Sequence, residues 1–351
     1  MAVSDYRPQD MLRLLQEKPA APNFLYSTLV REETTHNKTE ISIDKVFGSQ
    51  FLARYCSRQS SGSYLGKKGF SNTAYVTPYV QEKVAYTPSD TQIRLPGSTV
   101  YDTVNFEAGF IEKSMADLES RFNRLNEQQI ATALQTGKLT VSGLDVEYEI
   151  DYGQDPTHII AAVDVDWNDL VVTPSPVSNI MAFQRLITQK GLSGSGRLIC
   201  GYNANYWLMK STELLNFLDN RRVELGEINP AQLATVGASY TGRLTLPEGI
   251  VDMYSYNATY DTIDESDGSI IKGSNYIDPW KVVFVSYGAD LRFHYGMIEN
   301  FNCPGFIGKR FPSDWIEQGG KKRAISMESS PLFGFHQTNA VVCATVGEDA
   351  E

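Results

Sequence analysis

Two glycine-lysine stretches are the parts of this chain that most resemble a phosphate-binding motif. Residues 317–323 read EQGGKKR, and residues 66–68 read GKK. A P-loop needs a glycine, four residues, a Gly-Lys pair and then Ser or Thr to hold magnesium. Here Trp315 and Ser61 stand where the first glycine is required, and a second lysine replaces the hydroxyl residue in both stretches. We therefore predict that neither stretch binds a nucleotide.

Other catalytic patterns are also absent from the sequence. The glycines of SGSGR (193–197) follow a predicted helix and precede a predicted strand, which is the reverse of the dinucleotide-binding order. There is no G-x-S-x-G elbow. The acidic run at 261–267 lacks the twelve-residue calcium-loop pattern and is interpreted as a solvated loop. Spacing alone selects no pair of carboxylates for glycoside hydrolysis. We expect no catalytic residue, no cofactor and no metal.

The histidines and cysteines are scattered along the chain. None of the histidines belongs to an H-E-x-x-H motif, and each is interpreted as a packed or surface residue: His36, His158, His294 and His336. No two cysteines form a C-x-x-C pair, which argues against a structural zinc site or a redox motif. We expect buried thiols rather than disulfides at the four positions Cys56, Cys200, Cys303 and Cys343.

Composition limits the remaining classes of function. An apolar fraction of 42% is enough to build a packed core, and 351 residues favour two subdomains. The formal net charge of −11 opposes binding to nucleic-acid phosphates, so a dedicated DNA-binding protein is not expected. The amino-terminal residues contain no apolar run long enough for a signal peptide or a membrane span. A soluble protein without a membrane partner is the expectation.

Local patterns predict a mixed α+β fold built around one long helix. Apolar residues at spacings of four and three, from Ile111 to Leu125, predict a helix over about 104–136. Alternating residues predict a hairpin over 138–153 that turns at Ser142-Gly143, and Ser175-Pro176 begins a second helix that ends near Gly191. Residues 48–76 are rich in Ser and Gly and are expected to form a long loop. Strand patterns dominate after residue 243.

The last third of the chain resembles the major capsid proteins of lambda-type tailed phages. The resemblance rests on ASYTGRL at 238–244, IDPWKVVFVSYG at 277–288, LRFHYGMIENF at 291–301 and KRFPSDWIEQGGKKRAISMESSPLFGF at 309–335, in that order. Upstream, LQTGKLTVSG also resembles the junction between the long helix and the hairpin in that family. The resemblance covers roughly residues 45–346.

The resemblance implies the tailed-phage major capsid fold, which is shared with herpesvirus and encapsulin shells. In this fold a peripheral domain carries the long spine helix, an axial domain lies around the five- and six-fold axes, and there is an extended loop, implied here by the Ser- and Gly-rich residues around 48–76. The implied segments are an amino-terminal arm (1–44), an extended loop (45–90), the peripheral domain (91–175), the axial domain (176–290), and return strands with an acidic tail (291–351).

The resemblance also implies a structural role without catalysis. The protein is expected to form hexamers and pentamers of an icosahedral shell around the phage genome, assembled in the host cytoplasm and retained in the virion. Implied partners are a scaffold, a portal, a decoration protein and packaged DNA contacted without sequence specificity. Five cations are predicted intersubunit contacts: Lys67, Lys68, Lys321, Lys322 and Arg323. An encapsulin-like compartment shell and an unrecognised β-rich hydrolase remain as alternatives.

Overall fold

A computed structural model gives the fold of the chain. It describes residues 21–46, 52–53, 55–59, 70–89, 106–143, 146–170, 172–219, 236–263, 269–301, 303–317 and 319–348. The predicted loop cations Lys67 and Lys68 lie outside these residues.

The described residues form helices together with long runs of consecutive strands, as expected of an α+β protein. The helices are α1 (Phe24–Leu29), α2 (Phe106–Thr136), α3 (Pro176–Gln189), α4 (Tyr202–Lys210) and α5 (Thr212–Asp219). The first ten strands are β1 (Glu32–Thr35), β2 (Glu40–Val46), β3 (Phe70–Val76), β4 (Val80–Tyr86), β5 (Lys138–Gly143), β6 (Val146–Asp151), β7 (Ile159–Ile160), β8 (Gly196–Cys200), β9 (Ala238–Leu246) and β10 (Gly249–Tyr256). The remaining strands are β11 (Thr259–Ile263), β12 (Ile270–Asn275), β13 (Lys281–Ser286), β14 (Leu291–Tyr295), β15 (Ile298–Asn300), β16 (Cys303–Phe306), β17 (Phe311–Ile316), β18 (Arg323–Ser329), β19 (Pro331–Phe335) and β20 (Val341–Thr345).

A six-stranded mixed sheet forms the centre of the described fold, with the strand order β7-β20-β13-β8-β10-β9. Successive side chains of a strand point to opposite faces, so a strand buried on both sides is apolar throughout. In β13, Val282 and Phe284 pack with α3 on one face, while Val283 and Val285 join the core that contains α2 on the other. The run KVVFV is therefore a strand covered on both sides.

Helix α2 runs across the core and confirms the predicted long helix. Its 31 residues rise about 46 Å at 1.5 Å per residue. Its first half buries one stripe, including Leu118 and Phe122, against β4 and β18. Its second half is buried on several sides and includes Glu127 and Ile130. The single narrow stripe predicted from sequence holds only for the first half, because the second half passes through the main core.

Two further local predictions are confirmed. Strands β5 and β6 pair antiparallel and confirm the predicted hairpin, but the predicted turn position is wrong, since Ser142 and Gly143 lie in β5 opposite Glu147 and Val146. Helix α3 begins after Ser175 with Pro176 in its first turn, and Gly191 follows its end with a φ of 80°. The Ser175 side chain does not cap the helix. Instead, the Glu213 carboxylate of α5 accepts from the backbone N–H of Val177 at 2.8 Å, so a tertiary contact replaces the local cap.

The segment predicted as a long loop is partly a strand ladder. Strand β2 pairs antiparallel with β3 from Glu40↔Val76 to Val46↔Phe70, so residues 70–76 are extended and paired. Residues 47–51, 54 and 60–69, which make up most of the connection, lie outside the described residues. The central sheet also includes β7 and β20, whose residues lie outside the predicted axial segment 176–290. Across the part of the chain that the structure describes, no helix is long and apolar enough to cross a membrane.

Candidate assembly interfaces

The EQGGKKR stretch is the turn of the β17–β18 hairpin. The backbone N–H of Glu317 donates to the carbonyl oxygen of Lys322 at 2.9 Å, which closes the turn. Gly319 and Gly320 have positive φ values of 102° and 65°, which glycine adopts at the lowest cost. The two glycines therefore serve the backbone of the turn and do not begin a phosphate-binding helix.

The three cations of this turn differ in their surroundings. The Arg323 guanidinium donates from Nε to Oδ2 of Asp314 at 2.9 Å, across the same hairpin. Lys321 and Lys322 have exposed side chains at the tip. An exposed ion pair contributes about 0.2–1 kcal/mol, so the Arg323 pair fixes the hairpin only weakly. A contact of these cations with another subunit stays a prediction.

Two hairpins, each a separate two-stranded sheet, expose large apolar side chains. In β11–β12, Ile263 and Ile270 face each other in register and are 66% and 63% exposed, and the neighbouring Ile271 is exposed as well. Phe301 and Ile307 are exposed around the β15–β16 hairpin. Clustered apolar exposure of this kind marks an interaction surface more often than isolated exposed residues do.

An open groove lies between α4 and strands β9 and β10. It has a volume of about 670 Å³, and Tyr202, Tyr206 and Met209 supply its apolar wall while Ser239 and Thr241 of β9 face them. All three of these α4 side chains are well exposed. Strand β9 is the last strand of the central sheet. The groove therefore lies along the strand that ends the central sheet among the described residues, and it is a second surface suited to contact with a protein.

A buried carboxylate joins the amino-terminal helix to α2. Glu127 is fully buried and accepts from the backbone N–H groups of Leu25 and Tyr26 at 2.7 and 3.0 Å, and from Oη of Tyr256 at 2.8 Å. Burial raises the pKa of this carboxyl, and the donated hydrogen bonds oppose that rise. Sequence patterns miss this contact because a glutamate within a helix is normally solvated.

Three of the four histidines meet in space although they are distant in sequence. His294 of β14 lies at the centre, with its Nδ1 3.0 Å from Nε2 of His36 and its Nε2 2.9 Å from Nε2 of His336. The hydroxyl of Thr34 contacts both His36 and His294. A side chain at Gly334 would collide with the His294 ring, so glycine in β19 makes room for the imidazole. The fourth, His158, is buried elsewhere and its Nδ1 lies 3.1 Å from the carbonyl oxygen of Val341.

The described residues contain no group of three or more His, Cys, Asp or Glu side chains placed to hold a metal ion. The expectation of buried thiols is confirmed for Cys200 and Cys343 and is wrong for Cys56, which is exposed. Burial raises the pKa of both buried thiols, that of Cys343 to about 12. These two cysteines are unreactive core residues, since the thiolate is the reactive form.

Comparison with known proteins identifies the family to which the chain belongs. A profile of the family described as phage major capsid protein E matches residues 8–346. The chain belongs to the phage major capsid protein E family. It is 25% identical over 349 residues to the major capsid protein of Escherichia phage N15, across 94% of this chain and 96% of that protein. It is 24% identical to that of Enterobacteria phage phi80, across 97% and 98%, and 22% identical to that of Escherichia phage lambda, across 94% and 96%.

Solved capsid structures share the fold. The crystal structure of a prophage capsid protein from E. coli CFT073 superposes with a TM-score of 0.66 at 16% identity, over 93% of this chain and 94% of that chain. The capsid protein of cyanophage P-SCSP1u gives a TM-score of 0.52 at 10% identity, over 96% and 91%. The tailed-phage capsid fold expected from the sequence is confirmed.

Membership in the capsid family determines the general role of the protein. It is a structural protein of a phage head, and it is located in the capsid of the virion. The family role is structural rather than catalytic, and capsid relatives associate into multimeric shells. The compartment-shell and hydrolase alternatives are set aside by this match.

Proposed function

We propose that this capsid protein assembles into hexamers and pentamers of an icosahedral shell that encloses phage DNA, and that the β11–β12 hairpin contacts a neighbouring subunit. The observation that carries the proposal is the pair of facing isoleucines, Ile263 and Ile270, exposed on a two-stranded hairpin. Scaffold, portal and decoration partners are predictions from the family only.

An isolated two-stranded hairpin is at best marginally stable in water, and it usually needs a covering surface. Strands β11 and β12 pair only with each other within the described residues. Burying one isoleucine side chain is worth about 1.5–3 kcal/mol. Contact with a second copy would therefore supply the missing apolar cover, and the contact would be repeated around a closed ring.

The experiment compares two double variants of the full chain. Ile263→Asp with Ile270→Asp places two charges on the apolar pair. Thr259→Asp with Asn275→Asp places the same two charges at another facing and exposed pair of the same hairpin. Sedimentation velocity and negative-stain microscopy measure assembly, and circular dichroism measures folding. We expect folded subunits without particles from the first variant, and particles from the second.

Two results would contradict the proposal. Equal particle yields from both variants would show that the isoleucines are not part of an interface. A wild-type chain that stays a 39.1 kDa monomer at every salt concentration, with and without a scaffold protein, would contradict assembly itself.

A further inference from the structure

The cluster of His36, His294 and His336 holds the amino-terminal strand on the body of the protein. Strand β1 pairs in parallel with β14, and Thr34 lies opposite His294 in the register. Backbone bonds at both ends complete the attachment, from the N–H of Arg31 to the carbonyl oxygen of Leu291 at 3.0 Å and from the N–H of His36 to that of Tyr295 at 2.8 Å. Among the described residues β1 is an edge strand with β14 as its strand partner, and Thr34 of β1 joins the histidine cluster through His36 and His294.

The geometry does not suit one metal ion. His294 presents Nδ1 to His36 and Nε2 to His336. These nitrogens lie on different sides of one ring, so the three side chains do not converge on a common point. The arrangement instead forms a chain of hydrogen bonds in which each imidazole supplies one donor or one acceptor at each contact.

Counting the protons on the three imidazoles shows how this series of hydrogen bonds responds to acid. In the neutral form, His294 donates from one ring nitrogen and accepts at the other, so both N···N contacts are satisfied. One added proton is opposed mainly by burial of His294, which is only 4% exposed. A second added proton leaves at least one of the two N···N contacts with two N–H groups facing each other, and it places two positive charges on three linked imidazoles. The hydrogen-bonded arrangement of the three imidazoles is therefore stable only while the cluster carries fewer than two added protons.

The charged neighbours of the cluster do not offset its destabilisation by added protons. Arg292 on the same face of β14 forms ion pairs with Glu32 of β1 and with Asp290, so these carboxylates are already engaged. Burial, followed by the neighbouring His336 and His36 and then Arg292, lowers the pKa of His294 to about 4. Asp290 acts in the opposite direction, and its own pKa is lowered by Arg292, so it stays ionised when the histidines begin to titrate.

We propose that His36, His294 and His336 form an acid-sensitive clasp that keeps β1 docked on β14 near neutral pH and releases it as the pH falls. The direction of the pH effect follows from the linkage between proton binding and the stability of the docked state. A histidine whose folded pKa lies below its unfolded value of about 6.5 stabilises the docked state above that value, and the stability is lost as the pH falls towards the folded pKa. Release begins below about pH 6.5 and continues towards pH 4, the pKa of His294. The proposal does not depend on shell assembly, because all its contacts lie within one chain.

Hydrogen exchange on the full-length chain tests the clasp. Protection factors of the β1 amides, which correct for the intrinsic pH dependence of exchange, are compared with those of β13 between pH 7 and pH 5. We expect β1 protection to fall by up to about tenfold per pH unit below pH 6.5, as uptake of one proton requires. Protection of β13, which contains no histidine, should change much less.

A triple variant tests whether the three histidines cause the effect. His36→Gln with His294→Gln and His336→Gln keeps polar side chains, removes all three titrating groups of the cluster and retains His158. We expect the acid response of β1 to fall below about twofold over the same range. A full response in this variant would place the sensor elsewhere, and an unchanged β1 protection in the wild-type chain would overturn the proposal.

A second measurement on the wild-type chain does not depend on the folding of a variant. Exchange of the imidazole C2 hydrogen reports the pKa of each histidine separately. We expect His294 to titrate well below the usual value of about 6.5. An ordinary pKa at His294 would contradict the clasp. So would 1:1 binding of Zn²⁺ that raises β1 protection, which would show that the cluster is a metal site.

Discussion

The central sheet and the β11–β12 hairpin use the same strand chemistry in opposite surroundings. In β13, each apolar side chain meets a partner from the same chain, on one face or on the other. In β11–β12, Ile263 and Ile270 are equally apolar but more than half exposed. The sheet is therefore completed by its own chain, whereas the hairpin is left incomplete by it. In a capsid protein, that difference separates residues that fold the subunit from residues available to join subunits.

The largest expected effect comes from a residue of the central sheet. Phe284→Ala removes a fully buried ring and leaves a cavity between β13 and α3, so we expect a loss of about 3–5 kcal/mol in the free energy of unfolding. Urea denaturation of the unassembled subunit measures it. The matched control is Ile270→Ala, where we expect a change below about 0.5 kcal/mol in the subunit. Similar losses at both positions would abolish the distinction between the two regions.

A buried polar contact should have the next largest effect. Glu127→Gln replaces an oxygen that accepts backbone hydrogen bonds with an amide group that cannot accept them, so at least one donor near α1 loses its partner. We expect a loss of about 1–3 kcal/mol in the free energy of unfolding. Glu119→Gln on the same helix is the control, because Glu119 only pairs with Arg310 at the surface, and it should change stability by less than about 1 kcal/mol. Equal losses of unfolding free energy in the two variants would show that the buried contact stabilises the subunit no more than a surface ion pair does.

The smallest effect on the subunit is expected at the β17–β18 turn. Changing Lys321, Lys322 and Arg323 together to Glu should alter subunit stability by about 1 kcal/mol or less, since the Arg323–Asp314 pair that is lost lies at the surface. Particle yield should fall much more, because the same contact is repeated in every subunit. Circular dichroism and particle counts at low salt measure the two quantities.

A charge swap sharpens the test of this turn. Asp314→Arg with Arg323→Asp keeps the pair within the hairpin and keeps both lysines, so we expect folding and assembly close to wild type. Normal particle yield from the triple variant would show that the turn cations are solvated. Binding of ATP to the wild-type chain, lost in the triple variant, would support the rejected nucleotide site.

The comparison also explains which parts of the fold could be predicted. The helix at Phe106–Thr136, the hairpin at Lys138–Asp151 and the strand Lys281–Ser286 follow from patterns within a few residues of each other. The β2–β3 ladder was not predicted, because its partners are separated by a connection that carries no period. The cap of α3 by Glu213 was missed for a related reason, since a local serine stood where a distant carboxylate acts.

The periodic elements, the lack of familiar catalytic motifs and the resemblance to lambda-type capsid proteins could all be predicted from the order of the residues. They depend on short-range geometry, which a linear chain already contains. The folded chain was needed to show that His36, His294 and His336 share one cluster and that Glu127 accepts from the amides of α1. Those contacts join residues more than a hundred positions apart in most cases, and no local period records them. Burial and hydrogen-bond partners arise from packing, so they become known only when the chain is folded.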